Sequence, residues 1–457
     1  MKIYNSLTRI KEEFTPRKGR EVKMFVCGPT VYDYIHIGNA RTIVFFDVVA
    51  KYLSHKDYKV EYVQNITDID DRIIKKAQEE KRDPLELAND FEKRFLADMN
   101  KIGIHSVNHY AKATDHIPEV VSQVKKLIEK GHAYLIENDG YYFDLSTFPE
   151  YGKLSGRTAE MADDAISRID ENTGKRNRGD FCLWKFSKEN EPSWNTELGK
   201  GRPGWHIEDT AITEKYFGSQ YDLHGGGQDL IFPHHEAEIA QQESASGLKP
   251  FVKYWMHTGF LVNKGKKMSK SLANFLSLNE ALKLYSPETL HFYFLSAHYR
   301  SPLDFSEEIL KQSEAAVMRI NEFRNRLEQL EKVDDNHDSK NTEASWVKIE
   351  EAMSDDFDTP KVLGTFFELI REINSKIGKE QIATKKLLEI INFFEKILGI
   401  VPPPTSYPAE VQKLIDQREK VREEKDFTAA DKLRSQIESL GYQIDDTIYG
   451  SLVKVKK

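Results

Sequence analysis

The apolar residues from Met24 to Cys27 can be buried on both faces, and the turn formers Gly28-Pro29-Thr30 end the run, so the pattern predicts a short strand and a loop. Ala40, Ile43, Val44, Val48 and Tyr52 then recur at the three- and four-residue spacing of a helix. A second apolar run, Val60 to Val63, leads into Asn65-Ile66-Thr67-Asp68. Strand, helix and strand in this order make a β-α-β unit, the building block of a parallel nucleotide-binding sheet. Ligands of such sheets lie beyond the carboxyl ends of the strands, which puts Thr67 and Asp68 at the same crevice as Cys27.

Further along, the patterning changes twice. From about Ile117 to Pro203 it mixes a helix, glycine turns and aromatic strands, as expected of an inserted subdomain. From about Ser306 helical periodicity dominates until Pro402-Pro403-Pro404. Val411 to Leu440 reads as two helices, and Tyr442 to Val455 as short strands about a turn at Thr447 to Gly450. The fold class is therefore α/β. Residues 1–116 and 204–262 are expected to form the two halves of a Rossmann-like parallel-sheet domain, and 117–203 the insert. A basic loop and its sequel occupy 263–305, a helical bundle 306–401, and a small α/β domain 405–457.

Composition narrows the class. A chain of 457 residues is about three times the ~150 of one domain, so several are expected. With 39% apolar, 31% charged and 11% aromatic residues it can bury a core. No run approaches the ~18 apolar residues of a membrane span, and Met1 to Lys11 lack a secretory apolar core, so no membrane partner and a cytoplasmic location are expected. The net charge of −8 argues against sequence-blind coating of nucleic acid and leaves room for local basic patches. Cys27 and Cys182 lie 155 positions apart and form no CxxC pair, which argues against a disulfide framework. Cys182 reads as a buried apolar residue, and Cys27 is the thiol worth following.

Chemistry concentrates in three segments. His36-Ile37-Gly38-Asn39 stands between the first strand and its helix, where free N–H groups and the helix dipole attract phosphate. Gly38 lets a nucleotide approach the backbone, and His36 can donate to a phosphate; alone, the histidine would be read as a helix cap. Lys264 to Ser271 is a glycine-containing basic loop suited to a triphosphate, although an isolated lysine cluster is more often a solvated turn. His224 to Glu238 carries three consecutive glycines, then Asp229, which can accept from ribose hydroxyls. Within it His234 and Glu238 share a helical face at a spacing that suits a metal, with further ligands available from Cys27 and from Trp205 to Asp209.

His36-Ile37-Gly38-Asn39 with Lys267-Met268-Ser269-Lys270-Ser271 resembles the signature pair of class I aminoacyl-tRNA synthetases, with Asn39 where a second histidine is commoner. Tyr4 to Thr8, Asn65 to Asp71 and His224 to Glu238 extend the likeness, in order, to the cysteinyl-tRNA synthetase family over essentially the whole chain. The resemblance implies ATP-dependent ligation of L-cysteine to tRNA(Cys) through a cysteinyl-adenylate, with Mg²⁺ accompanying ATP. It implies phosphate and pyrophosphate contacts from His36, Asn39, Lys267 and Lys270, and nucleotide contacts from Gly38, Gly227 and Asp229. It implies one zinc, held by Cys27, His234 and Glu238, with Asp209 where the family has a second cysteine. Thr67, Trp205 and His206 would surround the amino acid, and Arg422, Phe427, Asp431 and Asp446 would engage the anticodon. Residues 263–305 become the signature loop and a stem-contact region, 405–457 an anticodon-binding domain, and the expected state is a monomer. Two rival readings are a cysteine-activating ligase acting on a small-molecule amine and a non-catalytic tRNA-binding protein. The first leaves the residues after Ser306 without a use, and the second leaves two complete nucleotide motifs unexplained.

Overall fold

A computed structural model of the chain describes all residues other than 158–173, 264–265, 268–275, 332–339, 378–381, 404–407, 448–449 and 456–457. Two compact units emerge. The first comprises Met1–Pro287, Ala297–Ser306 and Ser354–Phe357; the second comprises Glu288–Ser296, Glu307–Met353 and Asp358–Lys457.

Five strands form the central sheet of the first unit: β1 (Glu21–Val26), β2 (Lys59–Ile66), β3 (His109–Lys112), β4 (Tyr221–Gly227) and β5 (Val252–Thr258). They pair in the order β5-β4-β1-β2-β3, and every pairing is parallel. Met24 on β1 faces Tyr62 on one side and Leu223 on the other. Parallel strands are covered on both faces, which is why Met24, Phe25 and Val26 are uninterruptedly apolar and fully buried. The chain runs outward from β1 through β2 and β3, then returns to place β4 on β1's other side. The seam between β1 and β4 is thus the topological switch point, where loops diverge and leave a crevice.

The helices of this unit are α1 (Ile37–His55), α2 (Asp71–Glu80), α3 (Pro84–Ile102), α4 (Ile117–Glu129), α5 (Ile207–Phe217) and α6 (Glu236–Ser246), among others. Ala40, Ile43, Val44, Val48 and Tyr52 are all buried, as their spacing predicts, and so are Phe45, Phe46 and Val49 around the rest of α1. Between β3 and α5 the insert folds into an antiparallel sheet ordered Ala133–Ile136, Gly140–Phe143, Phe181–Phe186, Gly199–Pro203 and Trp194–Thr196. Its Phe143, Leu183 and Trp184 pack in one continuous core with Phe25, Val63, Ala237 and Trp255 of the parallel-sheet layer.

The second unit is largely helical, with Glu307–Glu331, Lys340–Ser354, Thr359–Lys376 and Thr384–Phe393 as its longer early helices. It ends in helices Ala409–Glu423 and Phe427–Ser439 and an antiparallel hairpin, Tyr442–Thr447 with Gly450–Val455. Val411, Ile415, Ile437, Ile444 and Val453 make a small core of their own there. Among the described residues, no helix is long and apolar enough to cross a membrane.

Candidate active site

A cavity of about 510 Å³ opens at the carboxyl ends of β1, β2 and β4. Gly28 turns the chain away from β1 so tightly that a Cβ there would meet the Asn65 carbonyl oxygen at 1.8 Å. Asn65 locks the turn, its Oδ1 accepting from the Gly28 N–H at 2.5 Å. This is what brings Cys27, from the end of β1, and Thr67, from the end of β2, to one wall of the cavity.

The opposite wall is the start of α1. His36 is its N-cap, and its Nδ1 accepts from the Asn39 N–H at 3.2 Å, which leaves Nε2 as the protonated nitrogen of a neutral ring. The ring lies over Gly38, where a Cβ would meet Nδ1 at 2.8 Å. His36, Gly38 and Asn39 all line the cavity, as do Gly227 and Asp229 beyond β4. The basic segment is anchored beside them at its far flank: Leu276 O accepts from Ile37 N at 3.0 Å, and Leu278 N donates to Ile35 O at 2.9 Å. At its near flank, Leu261–Asn263 pairs antiparallel with Lys266–Lys267. Lys267 is described by its backbone strand alone, and Lys270 lies outside the described residues.

At the cavity floor, where Cys27, Asp209 and His234 line it, acidic, imidazole and thiol groups converge. One donor atom from each of Cys27, Asp209, His234 and Glu238 lies within 4.8 Å of the other three. Asp209 Oδ2 is 3.5 Å from Cys27 Sγ and 3.0 Å from His234 Nε2, which is itself 3.2 Å from Glu238 Oε1. Asp209 comes from the first turn of α5, His234 from the turn Ile231–His235, and Glu238 from the first turn of α6. A second set shares Cys27 and Glu238 and adds His224 and His235, whose Nε2 atoms are 3.3 and 3.2 Å from Cys27 Sγ. Both histidines have outer partners: Tyr221 OH lies 2.6 Å from His224 Nδ1, and His257 Nε2 lies 2.8 Å from His235 Nδ1.

Burial raises the Cys27 thiol well above its ordinary range, with Glu238 and then Asp209 adding to the effect. Glu238 is likewise raised, by burial first and by Asp209 and Glu208 after it. Burial also holds His224 and His235 in the neutral form that binds metals. Asp209 Oδ1 and Glu238 Oε2 are buried without hydrogen-bond partners. Two buried carboxyls, a thiol and imidazoles with unused acceptor capacity and, among the described residues, no ammonium or guanidinium in contact are a fit for a divalent metal. All four donors of the first set, one sulfur, one nitrogen and two oxygens, belong to types zinc accepts.

Around this floor the other expected residues divide. Trp205 lines the cavity and stacks on His234 at 4.4 Å between ring centroids, with the Arg72 guanidinium 5.4 Å from the indole. His206 sits behind, its Nδ1 2.8 Å from His234 Nδ1, so it supports a wall without forming it. Thr67 donates to Glu208, whose other carboxylate oxygen is buried without a partner. Asp68, expected at the crevice, instead accepts from the N–H and hydroxyl of Thr114 at 3.0 and 2.5 Å, just past the end of β2. Glu208, His224 and His235 went unassigned in the sequence, where the only signal was their adjacency to Asp209, the glycine run and His234. In the second unit, Phe427 is 63% exposed at a helix start, and Asp431 is also exposed. Arg422 is ion-paired with Asp446, which Arg418 also approaches at 2.7 Å.

Comparisons with known proteins bear on the same regions. Residues 13–315 match the family profile described as the class I (C) tRNA synthetase catalytic domain, 348–401 the DALR domain, and 405–447 the cysteinyl-tRNA ligase anticodon binding domain. The chain is 42% identical to the cysteine–tRNA ligase of Thermococcus onnurineus and 44% identical to that of Thermococcus kodakarensis, each over 99% of both chains. Methionyl-tRNA synthetase of Mycobacterium tuberculosis, solved with methionyl-adenylate, superposes with a TM-score of 0.65 at 14% identity, covering 83% of this chain and 92% of its own, a likeness of fold.

Proposed function

The chain belongs to the cysteinyl-tRNA synthetases, class I enzymes that ligate cysteine to tRNA(Cys), and on that premise we propose how its residues divide the work. The supporting observation is that one cavity carries both the helix start at His36 to Asn39 and the donor cluster around Cys27. ATP, with Mg²⁺, sets its phosphates against the first turn of α1, where His36 Nε2 and the Asn39 amide donate to them. Gly38 and Gly227 admit the nucleotide, and Asp229 accepts from the ribose. Cysteine's carboxylate attacks the α-phosphorus and pyrophosphate departs, its charge met by Lys267 and Lys270. The terminal ribose hydroxyl of the tRNA then attacks the activated carbonyl and AMP leaves.

Cys27, Asp209, His234 and Glu238 would hold a zinc ion, which would supply Lewis acidity matched to a thiolate better than to serine's harder hydroxyl. Thr67 and Trp205 face the amino acid, and His206 steadies His234. Phe427 offers a ring on which an unpaired base can stack, with Asp431 beside it. Arg422 and Asp446 complete the anticodon contact by exchanging their mutual ion pair for bases and phosphates. We assign the domains at the boundaries read from the sequence, and a monomer in the cytoplasm. A small-molecule amine as acceptor would leave residues 405–447, which match an anticodon-binding profile, without a task.

The test is ATP–pyrophosphate exchange with cysteine and with serine, followed by charging of tRNA(Cys). Exchange with cysteine alone, then charging, is expected. Absence of cysteine-dependent exchange would sink this division of labour.

A further inference from the structure

Glu208 stands in the first turn of α5 between His206, which supports the cavity wall, and Asp209, which joins the donor cluster, yet it belongs to neither donor set. Only 1% of it is exposed. It meets the cavity through two residues that line it, Thr67 and Asn65. Thr67 Oγ1 donates to Glu208 Oε1, and Asn65 Nδ2 lies 3.4 Å from each of these two oxygens. The second carboxylate oxygen, Oε2, is buried without a hydrogen-bond partner.

This seat fixes what the Thr67 hydroxyl can do. A hydroxyl has one proton and two lone pairs, so with the proton committed to Glu208 it offers the cavity an acceptor and no donor. The arrangement is held from several sides. Thr67 N donates to Pro29 O at 3.2 Å, Thr67 O accepts from Val31 N at 3.1 Å, and the Asn65 amide is pinned through the Gly28 N–H.

Charge points the same way. Cys27, Asp209 and Glu238 are anionic when they ligate a metal, and Glu208 adds a further acid beside them. The positive end of α5 eases the burial of two acids in its first turn but leaves Glu208 Oε2 unbonded. Arg72 feels the charge of Glu208, yet its donors go to Asp70 Oδ1 at 2.8 Å and Thr30 Oγ1 at 2.9 Å. Among the described residues no ammonium or guanidinium pairs with Glu208. A buried acid in that state calls for a cation from outside the chain.

We propose that Glu208 is a positioning residue which, by taking the Thr67 proton, turns this wall into a receptor for the α-ammonium of the amino-acid substrate. A cysteine whose sulfur lies at the donor cluster carries its ammonium two carbons away, and Thr67 shares a cavity wall with Cys27. The inference rests on the cysteine-ligase reading, which cysteine-dependent exchange by the parent tests separately.

Two thiols divide the substrate: cysteamine keeps the ammonium, and 3-mercaptopropionate keeps the carboxylate. Their binding to the full chain, purified without chelator, is measured by calorimetry. The parent should bind cysteamine at least ~10-fold more tightly, the scale of one hydrogen bond to a charged group. Glu208→Gln should lose that preference by weakening cysteamine ~10-fold, with 3-mercaptopropionate bound as well as before or better and metal content as in the parent. Equal loss of both thiols, or loss of metal, would assign Glu208 to the donor cluster and overturn the proposal. So would a parent without the preference, which needs no variant to read. If Glu208→Gln does not fold, Thr67→Val should show the same selective loss of cysteamine, and Thr67→Ser, which keeps the hydroxyl, should retain the preference. Unaltered cysteamine binding in folded Glu208→Gln or Thr67→Val would likewise refute it.

Discussion

Arg41 Nη1 lies 2.8 Å from the carbonyl oxygen of Gly259, and through this bond the helix that begins at His36 grips the segment leading into the basic loop. The same guanidinium also donates to the carbonyls of Phe260, His298, Tyr299 and Ser301. A fully buried cation is normally costly, but carbonyl dipoles from two loop segments solvate this one. It ties the helix that follows His36 to the segment that precedes the basic loop and to the His298–Ser301 turn.

Arg41→Lys should therefore weaken more than a single hydrogen bond. Lysine cannot reach carbonyls on both segments, and those left unpaired in the core cost about 1–3 kcal/mol each. We expect about 3 kcal/mol of destabilisation in urea unfolding. A loss below about 0.5 kcal/mol, within the range of ordinary surface changes, would show that the carbonyls find other partners.

Gly38→Ala tests the seating of His36. The added methyl meets the imidazole at 2.8 Å and must push the ring off the helix start. Adenylate formation should fall roughly 10²-fold, the usual scale for a displacement near 1 Å at a reacting centre. Metal content should not change. Full activity would mean that the ring's position is immaterial.

At the donor cluster, Asp209→Ala should lose zinc on purification without chelator, and Asp209→Cys should keep it. Metal analysis reads this directly. Retention of full metal in the alanine variant would remove Asp209 from the ligand set and point to the second set, with His224 and His235.

Zinc uptake should depend on pH in one direction. Cys27 and Glu238 both hold their protons to higher pH than usual in the metal-free fold, and binding requires their loss. Apparent affinity should thus rise as pH rises towards their shifted values, with protons released on titration. Competition against a chromophoric chelator at several pH values, with release followed in weak buffer, measures both. An affinity flat from pH 6 to 8 would contradict the protonated ground state.

Phe427→Ala should raise the KM for tRNA(Cys) by about tenfold, the ~1–3 kcal/mol of one base stacked on a ring, and leave cysteine-dependent exchange intact. With 63% of the residue exposed, little of its area contributes to folding. Loss of exchange would place the ring in the core of its unit instead.

Much of this was legible in the linear sequence because its signals are local. A two-sided apolar run ended by Gly28 specifies β1, and the same glycine brings Cys27 to the crevice. The His36 cap and the two C-terminal helices also follow from short-range patterns. What pattern could not supply was orientation and distant partnership. Thr67 and Asp68 are neighbours, yet one lines the cavity and the other holds Thr114. His224 and His235 meet Cys27 only because β4 pairs with β1, and nothing in the residues near Arg41 names the carbonyls it gathers from some 220 to 260 positions away.

The donor set around Cys27, Asp209, His234 and Glu238 contains a single sulfur. Sites built on paired thiolates share a redox weakness: oxidation couples the two sulfurs to each other and the ion is expelled. Here Cys27 has no neighbouring ligand thiol with which to couple, and Cys182, the other cysteine of the chain, lies on the Phe181–Phe186 strand of the insert and forms no disulfide with it. With zinc in this set, the carboxylate at Asp209 would confer tolerance of oxidising conditions on a centre whose own substrate is a thiol.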